Sequence, residues 1–383
     1  MGSSPPYESH DEDAENRSRP SSSFSFSKMR FSEKRKERTK LTNAADACKV
    51  FLPCTTERHA EECILFRCTR CSIGPTIHPQ IVMSPLKYHD GELTVQKRAD
   101  AFDPADLEGN GLGVEFDERG STFLAQQPWV VIAAQDRDGR VWSSLLHGPA
   151  GFLSTSDPST LAIDASLPAG DPLAESFESA NEIGLLVLDP RTRRRLRING
   201  RAQATKARKL VVTTREVYGN CPKYIQRREI VETVAMEVGQ AIPASILDSD
   251  QRDFIARADT FFIGSLHAEA GIDCSHRGGN PGFVRAIDDR RLAFPDYSGN
   301  NMFQTLGNLT LDGRAGLLFL DFQTGDMLQL TGQATIIWDS PRLAEWPDAR
   351  RLIEFEIAGA MVRRNAFPLR WRLVEYSPFN PKV

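Results

Sequence analysis

Residues 184–202 read "GLLVLDPRTRRRLRINGRA", and residues 316–334 read "GLLFLDFQTGDMLQLTGQA". The two stretches align without a gap and share Gly, Leu, Leu, Leu, Asp, Thr, Leu, Gly and Ala in register. Self-similarity over this length is typical of a duplicated domain rather than of one turn of a solenoid. The chain is therefore predicted to hold two copies of one unit, facing each other about a pseudo-twofold axis as two subunits of a homodimer would.

Shorter matches upstream support the repeat. "GPAGF" at residues 148–152 matches "GNPGF" at residues 279–283, and "GDPLAESF" at residues 170–177 takes the place of "GNNMFQTL" at residues 299–306. Short β-rich runs such as "WVVIAA", "KLVVTT" and "GLLFLD", separated by Gly, Pro and Asp, predict that both copies consist mainly of strands.

The predicted organisation follows from the repeat and from composition. Its parts are an N-terminal tail (1–85), a first β unit (86–217), a helical connector (218–258), a second β unit (259–345) and a C-terminal strand and tail (346–383). A short helix is expected within residues 83–100, capped by Asp90. In the connector, Asn220 is expected to cap one helix, and Ser249 or Asp250 a second helix that turns Phe254 and Ile255 inward.

The tail is rich in Ser, Pro, Glu, Lys and Arg without helical or strand period, which predicts disorder. A mitochondrial presequence is disfavoured because "ESHDEDAE" places acidic residues near the N-terminus. Five of the seven cysteines fall in this part, namely Cys48, Cys54, Cys63, Cys68 and Cys71. A zinc site there would rest on one CxxC motif, which is a weak signal. The sparse cysteines elsewhere suit a reducing compartment, and a cytoplasmic protein is expected.

The overall composition restricts the classes of partner. The 383 residues are 40% hydrophobic and carry a formal net charge of -4, and no apolar run reaches the ~20 residues that a membrane-spanning helix needs. Nucleic acid binding requires a clustered basic face. We therefore expect no membrane and no nucleic acid partner, and any bound anion is expected to be small.

The block "GNPGFVRAIDDRRLAFPDYSGNN" (279–301) and the connector "GNCPKYIQ" (219–226) resemble the pyridoxamine 5'-phosphate oxidase-like proteins, a family built on FMN-binding split barrels. Residues 88–340 are most similar to the tandem members of that family. The resemblance implies a mainly β fold with flanking helices, in which two tandem FMN-binding split barrels form a pseudo-dimer. It also implies FMN as the cofactor.

By this resemblance, the flavin phosphate is expected to be held by Arg285 and by the polar turn of Ser298, Asn300 and Asn301, and the amide of Gly299 adds a further donor. Simple members of the family carry an Arg-Lys pair where this chain has the two asparagines. The first copy has Ser154 at the position of Arg285 and "DP" (171–172) at the position of the asparagines, a pair that would repel a phosphate. One flavin per chain is therefore expected. Its binding site is expected on the second barrel, with part of the wall of the site formed by the first barrel. The alternative is that both turns are ordinary hairpin loops.

The stretch "CSHRGGNPGF" (274–283) contains three glycines that are expected to allow close approach to a flat ligand or a positive φ. His276 and Arg277 are expected at the isoalloxazine edge, where a donor would stabilise reduced flavin. The alternative interpretation is that His276 is an ordinary polar loop residue that does not contact the flavin. A metal is not expected, since Asp273, Cys274 and His276 lack the further ligands of a closed site.

Two further basic segments of the sequence can each be interpreted in more than one way. The pattern predicts Cys221 at a helix N-terminus, where a thiol becomes more acidic and could act as a nucleophile. A purely structural role, in capping and packing a helix, explains the segment 219–226 more simply. A third interpretation is that Lys223 contacts an anion at the same helix end. In "RTRRRLRING", Arg193, Arg195 and Arg197 share one face of a strand. A solvated basic face is the default expectation, and attraction of an anion to the cleft is the alternative.

The predicted function is that of an FMN-binding oxidoreductase of the pyridoxamine 5'-phosphate oxidase-like type, with a small-molecule substrate and an electron donor from outside the chain. The alternative is a non-enzymatic flavin- or tetrapyrrole-binding carrier. Oxidation of pyridoxamine phosphate itself is disfavoured by the tandem form and the altered turn. The chain is expected to act as a monomeric pseudo-dimer or as a homodimer.

Overall fold

The computed structural model describes residues 88–103, 112–207, 209–236 and 239–382, which belong to one compact unit. The predicted disordered tail and its cysteines lie outside these residues. The two described cysteines, Cys221 and Cys274, are free thiols. Among the described residues, no helix is both long and apolar enough to cross a bilayer.

The first sheet has seven antiparallel strands in the order β2-β1-β5-β6-β7-β4-β3. Its strands are β1 (Trp129–Gln135), β2 (Val141–His147), β3 (Leu153–Asp157), β4 (Thr160–Ile163), β5 (Asn181–Asp189), β6 (Arg194–Ala204) and β7 (Leu210–Gly219).

The second sheet repeats this order as β11-β10-β14-β15-β16-β13-β12, and a short additional strand, β9 (Ile242–Ala244), pairs with β16. Its strands are β10 (Thr260–His267), β11 (Gly271–Gly278), β12 (Arg285–Ala286), β13 (Arg291–Asp296), β14 (Arg314–Leu320), β15 (Met327–Ile337) and β16 (Arg351–Arg363). The prediction of a mainly β fold made of two tandem split barrels is confirmed.

One irregularity recurs at the same place in both sheets. The strand register shifts after Asn199 in β6 and after Thr331 in β15, and a glycine follows in each case. A Cβ on Gly200 would collide with the carbonyl oxygen of Thr213, and one on Gly332 with that of Glu356. Only glycine allows the neighbouring backbone this close, so the "NG" and "TG" of the repeat mark a bulge that each sheet needs.

The two sheets pack against each other reciprocally. Gly184 of β5 lies against the backbone of β11 at Asp273, and Gly316 of β14 lies against the backbone of β2 at Trp142. Each sheet also has its own apolar core, and a third cluster is shared between them. In that cluster Trp129 and Phe262 meet edge to face, with ring centroids 5.8 Å apart. Burial of these large side chains supplies the main attraction between the two barrels.

In the described residues, four α-helices flank the sheets: α1 (Asp90–Arg98), α2 (Glu118–Ala125), α3 (Ser249–Arg257) and α4 (Gln304–Leu311), and a short 3-10 helix spans Pro341–Glu345. Helix α1 lies within the predicted range, but its cap is His89, in a capping box with Glu92, rather than Asp90. It packs against α4 of the second unit, where Gly91 and Gly307 allow the two backbones to touch. The cap of α3 is Asp248, one residue before the predicted position, and Ile255 is buried with Phe254 packed beside it.

The prediction of a helical connector over residues 218–258 is wrong except for α3. Residues 220–226 are irregular, and β8 (Arg227–Thr233) pairs with β17 (Leu369–Glu375) in a separate two-stranded sheet. Asn220 therefore caps no helix. The C-terminal boundary also differs, because β16 lies between β15 and β13, so the second sheet runs to Arg363. Both errors concern strand pairings between residues far apart in sequence, which a local pattern does not reveal.

Candidate functional site

A pocket of about 100 Å³ lies where β6 of the first sheet meets β11 of the second. The segments 220–224 and 295–306 close its sides. Its lining residues are Arg195, Arg197, Asn220, Cys221, Lys223, Tyr224, Ser275, His276, Arg277, Gly278, Phe283, Pro295, Asp296, Tyr297, Gly299, Asn300, Asn301, Phe303, Gln304, Thr305 and Leu306. The pocket is thus built by both units, with most of its wall from the second.

Arg195 is a basic residue of the pocket that forms no ion pair within the described part of the chain. Its Nη1 lies 3.5 Å from Nδ1 of His276, and its Nη2 lies 3.9 Å from Sγ of Cys221. Among the described residues, no carboxylate forms an ion pair with Arg195. Burial lowers the pKa of Arg195 to about 10, so the guanidinium remains charged at neutral pH. A charge withdrawn from water without a partner is costly, and an anion entering the pocket would relieve that cost.

Arg197 is fixed by a buried network beneath the pocket. It forms an ion pair with Asp273, and its guanidinium lies 5.0 Å from the centre of the Tyr218 ring. The Tyr218 hydroxyl donates to Oδ1 of Asp273 over 3.1 Å, and Thr305 Oγ1 donates to Oδ2 over 3.3 Å. Burial raises the pKa of Tyr218, so this hydroxyl stays protonated as a donor. The network holds the Arg197 side chain in one orientation.

His276 is neutral in this environment. Burial, together with the neighbouring charges of Arg195 and Arg277, holds the pKa of His276 well below its usual value. Because a guanidinium can only donate, Nδ1 of His276 accepts from Arg195, and the ring proton resides on Nε2. That Nε2 is buried and has no partner among the described residues. His276 therefore presents a free N–H donor rather than a charge.

Several buried polar atoms around the pocket lack a hydrogen-bond partner within the described part of the chain. The donors are Nε of Arg195, Nε of Arg197, Nε2 of His276 and Nε2 of Gln304, and Oδ1 of Asn220 is an acceptor. Buried polar groups are rarely left unpaired in folded proteins. The four donors belong to residues of β6, β11 and α4 that line one small pocket, and such a set fits an anionic group such as a phosphate. The residues present therefore fit the phosphate of the flavin that the resemblance implies.

Most of the predicted site residues are brought together here. His276, Arg277, Gly299, Asn300 and Asn301 line the pocket. Asn301 has a left-handed backbone with φ of 62°, as expected for an asparagine in a tight turn. Ser298 is at the rim, where its carbonyl accepts from the Tyr224 hydroxyl over 3.0 Å.

Arg285 is the exception and lies outside the pocket. Its Nη1 is 2.9 Å from Oε2 of Glu345, its Nη2 is 2.9 Å from the Glu345 carbonyl oxygen, and its guanidinium stacks 4.2 Å from the Trp346 ring centre. The prediction that Arg285 holds the phosphate is therefore corrected. Its partners lie sixty positions away in sequence, so the local motif gave no sign of them. Arg195 and Arg197 of the first unit line the pocket instead.

The default expectation of a solvated basic face on "RTRRRLRING" is also wrong. The period-two pattern does place Arg195 and Arg197 on one face of β6, but that face lies between the two sheets, and Arg197 is only 5% exposed. Arg193 precedes the strand, and its Nε donates to the Ile225 carbonyl over 2.9 Å, outside the pocket. Arg195 and Arg197 thus line the pocket, a placement that the sequence offered only as an alternative.

The connector contributes through irregular backbone. Cys221 lines the pocket but does not start a helix, which removes the predicted cause of an acidic thiol. Lys223 also lines the pocket, with Nζ 3.5 Å from the Ser298 carbonyl oxygen. Of the predicted glycines, Gly282 has φ of 86°. A Cβ on Gly278 would collide with the Tyr224 carbonyl. A glycine at this position therefore allows the connector backbone to pack closely, whether or not a ligand is bound.

No cluster of three or more His, Cys, Asp and Glu side chains suited to a metal ion occurs in the part of the chain that the structure describes. The polar groups of the pocket are mainly N–H donors. Such a set suits an anion rather than a cation.

The chain was compared with known proteins by sequence and by structure. No curated protein matches it. Among solved structures, it is similar to an FMN-binding protein from Syntrophomonas wolfei, with 11% identity, a TM-score of 0.24, and coverage of 29% of this chain and 82% of that chain. It is also similar to a FAD-binding protein from Mesorhizobium loti (10% identity, TM-score 0.25, 34% of this chain and 99% of that chain). HupZ from Group A Streptococcus gives 13% identity, a TM-score of 0.25, and coverage of 29% and 89%.

A family profile gives the more specific result. Residues 247–366 match the family described as pyridoxamine 5'-phosphate oxidase. The match begins just before α3 and includes strands β10 to β16 of the second sheet, together with the polar turn of the pocket. This second unit, residues 247–366, belongs to the pyridoxamine 5'-phosphate oxidase-like family.

Proposed function

We propose that the pocket between β6 and β11 binds the phosphate end of a flavin and that the protein is an FMN-dependent oxidoreductase acting on a small molecule. The observation that carries this proposal is the convergence of four buried, unpartnered N–H donors from both units, in the described part of the chain, on one pocket. The family of residues 247–366 supports it.

The two arginines have different roles in the proposal. Arg197 is held in place by Asp273, and its Nε has no hydrogen-bond partner among the described residues. The hydrogen-bonding contacts of Arg195 within the described part of the chain are with His276 and Cys221, so its charge would be available to an anion. The charge of Arg197 is balanced by Asp273, so Arg195 would offset one of the nearly two negative charges of a phosphate, and the Asn300 turn would supply amide donors.

The flat part of the ligand would lie along the more open edge of the crevice. Tyr224 and Tyr297 line it and are stacked on each other, with ring centroids 5.3 Å apart. When bound, a flavin supplies the transfer of electrons, while the protein supplies position and hydrogen bonds. The Nε2–H of His276 and the guanidinium of Arg277 would donate to the ligand and orient it. His276 remains neutral while it does so.

FMN is the flavin proposed, and the FAD-binding proteins among the similar structures make FAD the alternative to be tested. We further propose that the two units arose by tandem duplication, on the basis of the repeated sequence and the repeated strand order. A cytoplasmic location and an external electron donor remain predictions from the sequence.

The test uses the full chain purified without added cofactor. Mass spectrometry of the released small molecules identifies the flavin, and absorbance under anaerobic conditions follows its reduction by NADPH and its reoxidation by candidate substrates. Bound flavin that cycles between the two states supports the oxidoreductase. Bound flavin that no donor reduces supports the alternative of a carrier, and failure to bind any flavin contradicts both.

A further inference from the structure

The pocket has a counterpart on the opposite side of the pseudo-twofold axis. A crevice of about 710 Å³ lies between β15 and β2, the strands that correspond to β6 and β11. The pairing registers place Met327 where Arg195 stands in the first pocket and Leu145 where His276 stands. Both line the crevice. The second crevice therefore lies at the equivalent position between the two sheets but is lined by apolar side chains where the first pocket has Arg195 and His276.

The substitutions remove every feature that suits a phosphate. Leu146 takes the place of Arg277, so the wall that carries donors in one pocket is apolar in the other. Asp171, which aligns with Asn300, does not line the crevice; it is buried and accepts hydrogen bonds from the Ser144 hydroxyl and the Leu173 amide. A buried carboxylate and apolar walls disfavour an anion.

The size and lining of the crevice suit a small molecule. Its volume lies within the roughly 300–1,000 Å³ of typical ligand pockets, which are mostly apolar with a few placed polar groups. His147 is one such group. Burial lowers the pKa of His147, so its ring is neutral, and no residue that the structure describes makes a hydrogen bond with it. The Phe367 ring stands edge-on to it, with centroids 6.2 Å apart.

We propose that this crevice is a second binding site, which takes an uncharged, largely apolar small molecule carrying one group able to hydrogen-bond to His147. The site is separate from the proposed flavin pocket and does not depend on it. It would allow one chain to hold two chemically different ligands at two positions related by pseudosymmetry.

The experiment titrates the full chain with the uncharged fluorescent probe N-phenyl-1-naphthylamine. The variant Ala165→Trp places an indole in the crevice, since Ala165 lines it and is half-buried. The control Leu311→Trp adds the same side chain at a position that is 55% exposed and lines neither site. Circular dichroism verifies the fold, and Ser166→Trp, at an exposed lining position, replaces Ala165→Trp if that variant does not fold.

We expect one probe per chain, at least tenfold weaker binding in the Ala165→Trp variant, and unchanged binding in the control. FMN added in excess is expected not to displace the probe, and Ala165→Trp is expected to bind FMN as the unmodified chain does. The proposal is overturned if the probe does not bind, if both variants bind it equally, or if FMN displaces it. Loss of FMN binding alone would count against the flavin pocket and not against this site.

Discussion

Replacement of Arg195 by methionine is the sharpest perturbation of the proposed flavin pocket. Methionine is the residue that the second unit carries at the corresponding position, Met327, so a strand with the same pairing accommodates this side chain. In the ligand-free chain, Arg195 contacts only His276 and Cys221 and has no carboxylate partner among the described residues. Its removal therefore leaves no buried anion without a counter-charge.

The size of the effect follows from the contacts that the arginine would make. A hydrogen bond to a charged group contributes about 1.5–3 kcal/mol. With tenfold in affinity for each ~1.4 kcal/mol, Arg195→Met is expected to weaken FMN binding roughly 10- to 150-fold. The stability of the ligand-free chain is expected to stay the same or to rise, because an unpaired buried charge is replaced by an apolar side chain.

Titration of FMN followed by quenching of its fluorescence measures the affinity, and thermal unfolding without ligand measures the stability. The matched control is Arg285→Met, whose guanidinium is engaged by Glu345 and Trp346 outside the pocket. We expect this control to bind FMN within about twofold of the unmodified chain, well under the ~1.4 kcal/mol of a tenfold change. If Arg285→Met loses affinity while Arg195→Met keeps it, the assignment of the phosphate site is refuted.

Three further predictions concern the fold and its titration. Asp273→Asn removes the carboxylate that pairs with buried Arg197 and is expected to destabilise the chain by about 3–5 kcal/mol in urea unfolding. Burial raises the pKa of Glu92 from 4.5 to about 8, so at neutral pH the folded chain retains a proton that the unfolded chain has lost. The free energy of unfolding is therefore expected to fall as pH rises from 7 to 8. This fall is expected to vanish in the variant Glu92→Gln. Gly332→Ala would drive a Cβ into the Glu356 carbonyl and is expected to cost about 1–3 kcal/mol.

Each of these has a control. Asp164→Asn breaks an exposed pair with Lys209 and is expected to cost under ~1 kcal/mol. Gly219→Ala adds a Cβ that meets nothing within 4 Å and should be tolerated. Burial lowers the pKa of His89 to about 4, so stability rises with pH up to about 6.5, where the histidine of the unfolded chain loses its proton. This rise opposes the effect of Glu92, and the measurements therefore begin at pH 7, above it. Equal losses in a variant and its control, or an unchanged pH slope in Glu92→Gln, would contradict the stated causes.

The sequence predicts the duplicated architecture well because the repeat preserves features that the backbone itself requires. Gly200 and Gly332 occupy the same bulge, and Gly184 and Gly316 occupy the same contact between sheets. Such positions tolerate few residue types, so they stay alike in both copies. A strand was expected within residues 346–383, where β17 lies, but its pairing with β8 was not predicted, since that pairing joins residues more than a hundred positions apart.

The candidate site was predicted in part. The polar turn at Asn300 and the basic edge at His276 line one pocket, as the sequence predicts, because they lie in one continuous motif; their contact with a flavin stays a prediction. Arg195 and Arg197 were offered only as an alternative, because period two shows which residues share a face of β6 but not whether that face meets solvent or the other sheet. Arg285 was misassigned for the converse reason, since Glu345 and Trp346 reach it from a distant segment.

The central claim is that one crevice of the pseudo-dimer holds a flavin by its phosphate. Isothermal titration of the full chain with FMN and with riboflavin, which lacks the phosphate, tests it most directly. We predict one FMN per chain and an affinity for riboflavin at least about 100-fold lower, the equivalent of one to two charge-assisted hydrogen bonds. Equal affinity for the two compounds, or two FMN molecules bound per chain, would contradict the claim.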